Sequence, residues 1–141
     1  ALVGRRAVND ALNDWSIFPT SPISKEPLGP VYRSNDSKWG DVINWVVYAT
    51  IIADEYGVTS ANVDSVDTDA LPELGRLFGA NDGELQSVMG LDAKAFYNVI
   101  KQVGNYDEIY SRNLNPVGLF REGGANDRWT NGGLIYAPPA R

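Results

Sequence analysis

The chain has 141 residues, 43% of them apolar and 21% charged, with a net charge of −6 and a sequence pI near 4.5. Its length fits one ordinary domain, and its scattered Lys and Arg form no basic stripe to recruit nucleic acid or an anionic membrane surface. Cys and His are both absent, which excludes disulfides, thiolate metal sites, a Cys nucleophile and a Ser-His-Asp triad, and turns the reading away from an enzyme.

Residues 1–14 read as a short helix with Leu2, Val3 and Val8 apolar and Arg5, Arg6 and Asp10 polar. The opening looks like the middle of a helix and lacks Met, so it reads as a cut end, and the missing signal peptide does not bear on location. Trp15 to Phe18 carry β-type residues and stop at Pro19. Pro19, Pro22, Pro27 and Pro30 forbid a helix and suit a stiff extended segment ending in a short strand, Val31-Tyr32-Arg33.

Ser34-Asn35-Asp36-Ser37 offers N-cap residues for a helix from about Lys38 to Tyr56, with Gly57 placed as its C′ residue. Val42, Trp45, Val46, Ala49, Ile52, Ala53 and Tyr56 form one apolar stripe, and there is no charge from Val42 to Ala53. That run is too short to cross a bilayer, which needs about 20 residues, so a helix buried on most sides is expected. Short helical pieces follow over 58–92, with Pro72 in a first turn. Asp92 is placed to cap a helix from Ala93 to Val103, closed by Gly104, and Asn105 to Asn113 gives another. Residues 115–141 read as an ordered tail anchored by Trp129, Leu134, Ile135 and Tyr136.

Asp64, Asp67 and Asp69 lack the Gly and Glu spacing of a calcium loop and read as a solvated acidic loop, so no metal is expected. Gly123-Gly124 and Gly132-Gly133 lack phosphate-loop context and read as turns. Glu108 and Arg112 are spaced for a weak i,i+4 ion pair. Ser24, Lys25 and Glu26 lie on the proline-bounded segment, where side chains are held in defined positions, and are weak candidates for a hinge or cleft edge.

Four stretches carry a family resemblance. Pro22 to Arg33, containing Ile-Ser-Lys-Glu-Pro-Leu-Gly-Pro, resembles a segment of general L-amino-acid-binding proteins of polar amino-acid ABC transporters (solute-binding protein family 3). Asp36-Ser37-Lys38-Trp39-Gly40-Asp41 resembles that family's entry to a long helix. Asn98 to Tyr110 and Trp129 to Arg141 resemble its penultimate helices and its C-terminus.

The resemblance implies an α/β class: the C-terminal portion of a two-lobed type II periplasmic binding protein, mostly helical here with a few short strands. Residues 1–22 would end the second lobe, 23–33 would cross between lobes, and 34–141 would pack on the first. It further implies capture of L-amino acids between the lobes and delivery to an ABC transporter permease, in a periplasmic protein that is monomeric when intact and has no cofactor. The residues that grip the ligand would lie mostly upstream of Ala1. The family's Arg-Gly-Leu-Asn stretch is replaced by Arg121 to Trp129, a departure that bears on the packing of the tail. The competing reading is a non-catalytic helical interaction protein using the apolar helix 38–56.

Overall fold

The computed structural model describes residues 18–19, 23–24, 27–81 and 84–141. Its longest element is α1, Ser37–Glu55. The Asp36 side chain accepts a hydrogen bond from the Trp39 N–H at 3.2 Å, satisfying one of the free donors of the first turn. At the other end Gly57 N–H donates to Asp54 C=O (3.0 Å) and Val58 N–H to Ala53 C=O (2.7 Å). This is the Schellman pairing, and it requires a left-handed residue at Gly57, whose φ is +67°.

Short helices follow: α2 (Pro72–Leu77), α3 (Leu85–Val88), α4 (Ala95–Val103) and α5 (Tyr106–Leu114). Pro72 sits in the first turn of α2, where its missing N–H costs nothing. α4 begins two residues later than its sequence pattern suggests. The Asp92 carboxylate accepts from Lys94 N–H (2.8 Å), folding residues 92–94 into a turn before the helix starts. α5 is opened by a capping box, in which the Asn105 side chain accepts from Glu108 N–H while Glu108 accepts from Asn105 N–H.

α1 packs against α4 and α5, and the core gathers Ala49, Ile52 and Ala53 of α1 with Leu74, Leu77, Phe78, Phe96 and Ile100. From Ala49 to Asp54 every residue of α1 is buried, so here the helix is enclosed on all sides. Its preceding turns are less covered: Trp45 to Tyr48 are half-buried and Trp39 is 51% exposed. The enclosed stretch is not open to a partner, as the interaction-protein reading requires. No helix among the described residues is long and apolar enough to cross a membrane.

The strand expected at Val31–Arg33 does not form a ladder. Val31 is 94% exposed, and the segment makes no β pairing with the described residues. A strand is defined by its neighbour, and this one has none among the described residues. The isolated bridge between Arg128 and Ile135 is the β pairing recorded among the described residues. The helix expected at 1–14 and the β-type residues Trp15 to Ile17 lie outside the described residues.

Candidate functional site

The densest polar constellation lies where the tail meets the end of α1. Asp54 is 2% exposed and stands in the last turn of the helix, where the aligned backbone dipoles disfavour an anion. Two tail arginines compensate it. Arg121 Nη2 lies 2.5 Å from Asp54 Oδ2, with both side chains at or below 5% exposure, and Arg128 Nε lies 3.7 Å from Oδ1. Arg128 also donates to the Asp54 backbone carbonyl at 3.2 Å.

Arg121 is held on every side. It donates to Asn126 C=O (2.6 Å) and to Asp107 Oδ1 (3.1 Å), and it stacks 4.9 Å from the Tyr106 ring centroid. Burial opposes its charge, but Asp54 and Asp107 outweigh that and raise its pKa. Asp127 organises the loop between the arginines, accepting from the N–H groups of Gly123 (3.0 Å) and Arg128 (2.8 Å). Gly133 fits here because a Cβ would come within 1.9 Å of the Asp127 carbonyl oxygen.

The end of the tail is tied down separately. Ala140, fully buried, donates its N–H to Glu73 (2.8 Å) and accepts from Arg76 Nε (2.9 Å). The tail is therefore ordered as its composition predicts, but its anchor is not the predicted one. Trp129, Leu134 and Tyr136 are 59%, 70% and 67% exposed, and Ile135 is half-buried. Charged and backbone groups hold the segment instead.

A third junction joins the loop after α1 to α5. Glu108 accepts from the Ser60 hydroxyl (2.6 Å) and the Ser60 N–H (3.0 Å), and Asn105 Nδ2 donates to Val58 C=O (2.8 Å). Burial pushes the Glu108 carboxyl up, but the bonds from Ser60 and Asn105 together bring it below its ordinary value. The expected Glu108–Arg112 ion pair is replaced: Glu108 is committed to the cap, and Arg112 donates to Val103 C=O (3.2 Å). In the acidic loop, Asp64 pairs with Lys101 (2.5 Å) and with the Tyr97 hydroxyl, while Asp67 caps a turn at Asp69 and Ala70.

Of the residues singled out for a hinge, Ser24 lies in an exposed bend, and Lys25 and Glu26 fall outside the described residues, as do Arg5 and Arg6. The structure brings none of the described candidates into a cleft. What sequence reasoning missed is the Asp54–Arg121–Arg128 cluster. Its signals were present: Asp54 is the first charge after the uncharged run, and both arginines fall in the stretch that departs from the family pattern.

No family model matches the chain. A periplasmic binding protein of an ABC transporter from Brucella ovis, solved with glutathione bound, is similar with a TM-score of 0.72 and 40% identity, over 77% of this chain and 35% of that one. The fold is thus part of a periplasmic binding protein fold.

The sequence relatives narrow the class. A putative amino-acid ABC transporter-binding protein of Escherichia coli strain K12 is 43% identical over 91% of this chain. The glutamate/glutamine/aspartate/asparagine-binding protein of Rhodobacter capsulatus is 45% identical over 99% of it, and the general L-amino acid-binding periplasmic protein of Rhizobium johnstonii 44% over 91%. The chain spans 38% to 41% of the length of these relatives and corresponds to their C-terminal portion. It is a homologue of amino-acid ABC transporter-binding proteins over that portion.

Proposed function

We propose that the chain is the C-terminal part of a periplasmic solute-binding protein that captures L-amino acids between two lobes and delivers them to an ABC transporter permease. The observation that carries this reading is the 43–45% identity to amino-acid-binding proteins along nearly the whole chain. In such a mechanism the ligand contacts both lobes only when they close, so binding shifts the population toward the closed form. Calorimetry on the full-length protein tests it. Micromolar or tighter binding of at least one L-amino acid is expected, and flat titrations across a broad panel of amino acids would remove the proposal.

In this reading residues 1–22 finish the second lobe, 23–33 cross between the lobes, and 34–141 pack on the first. Ser24, Lys25 and Glu26 then lie at the crossing, with Pro27 and Pro30 stiffening it. Two exposures support this division: Leu28 at 92% and Val31 at 94% are apolar side chains on an extended segment that a neighbouring sheet would cover. The half-covered turns of α1 from Trp39 to Tyr48 would be sheltered by the same lobe. A monomeric intact protein, a periplasmic location and a permease partner follow from the same proposal.

A further inference from the structure

A cleft of about 380 Å³ opens beside the tail, away from the extended segment, and is lined by Glu55, Tyr56, Glu73, Trp129 and Tyr136 among others. Two of its aromatic residues, Tyr56 and Trp129, are each fixed at one edge. Trp129 Nε1 donates to Glu55 Oε1 (2.9 Å) and the Tyr56 hydroxyl donates to Glu73 Oε2 (2.8 Å), yet Trp129 and Tyr136 remain 59% and 67% exposed.

The two carboxylates differ in what they have left to offer. Both Glu73 oxygens are engaged, by Tyr56 and by Ala140 N–H. Glu55 has one oxygen without a hydrogen bond among the described residues, and none of the described Lys or Arg lies within 4 Å of it as a salt-bridge partner. Burial already raises its carboxyl above the ordinary value, with the Trp129 bond offsetting only part of that.

We propose that this cleft binds an organic cation, a guanidinium or alkylammonium group, seated against the Trp129 and Tyr136 rings and paired with the free oxygen of Glu55. The indole face offers the strongest aromatic attraction for such a charge, and a carboxylate beside it adds a charge-assisted hydrogen bond. A divalent metal is the poorer fit, because the cleft supplies one free carboxylate oxygen and aromatic carbon where such ions require several oxygen ligands. Its lining residues are other than Ser24, Lys25 and Glu26, the positions that the proposed function puts at the crossing.

Titration of the full-length protein with methylguanidinium, read by the Trp129 indole N–H signal in NMR, tests the site. A saturable shift is expected, weakened roughly fivefold or more in Glu55→Gln, which keeps an oxygen to accept from Trp129 but loses the charge. A blocked Gly-Arg-Gly peptide identifies the source: tighter binding than methylguanidinium points to a side chain of a protein partner, equal binding to a free small cation. No saturable shift with either probe, or a shift undiminished in Glu55→Gln, overturns the proposal. Calorimetry with L-amino acids on the same variant is expected to match the wild type, so the two readings fail separately.

Discussion

Asp54 stands where an anion is disfavoured: buried, and at the C-terminal end of a helix. Arg121 is its close partner at 2.5 Å, and Arg121→Ala would leave the buried carboxylate without that pairing. A loss of about 3 kcal/mol is expected in urea unfolding. Arg128→Ala should cost less, about 1 kcal/mol, because that side chain is 34% exposed and its Nε lies 3.7 Å away. Equal losses for the two variants would mean that the charges are shared evenly, contrary to the geometry.

Glu108 presents a pH dependence. Its folded carboxyl titrates below its ordinary value, so the ionised cap contributes stability that is complete above the unfolded value of about 4.3 and lost as pH falls through the folded one. Glu108→Ala is therefore expected to destabilise by about 1 kcal/mol at pH 7 and by much less near pH 3. Thermal melts of both proteins at the two pH values check this, and a pH-independent difference would exclude the charge as the cause.

Among the elements, those whose ends are written into the chain were legible. Asp36 caps α1, and Gly57 and Gly104 lie just past the ends of α1 and α4, because caps are local chemistry; Asn105, read as the first helical residue, is instead the cap of α5. Gly57→Ala should cost about 1 kcal/mol by conformation alone, since no neighbouring atom lies within 4 Å of its added Cβ. Chemical unfolding measures it. What stayed illegible depends on partners distant in sequence. A strand at Val31–Arg33 needs a neighbour to pair with, and the tail's anchor joins Arg121 to an aspartate on α1. Apolar composition pointed to Trp129, Leu134 and Tyr136, but a mostly exposed aromatic has the same letter as a buried one.

For the molecule as a whole, the second half of α1 is closed over, while the segment leading into its first turns is not. The Schellman turn, the capping box and the Ala140 contacts close the fold around the second half of α1. Leu28, Val31 and Trp39 face solvent at the other end. If the first lobe covers them, amides of residues 27–33 will exchange with deuterium more slowly in the full-length protein than in this chain alone. Equal rates would count against that packing. The class was legible because family motifs recur in order along the chain; ligand-gripping residues were not, because no motif among these residues marks one.

The ionic seat of the tail also conceals two cleavage points. Trypsin cuts after arginine, and only where several residues can leave the fold and enter the protease. While Arg121 and Arg128 clasp Asp54, the bonds following them are withheld, although the surrounding loop from Glu122 to Asn126 is exposed. A protein that loses this grip, through Asp54→Asn or partial unfolding, would reveal itself first as a clipped C-terminus.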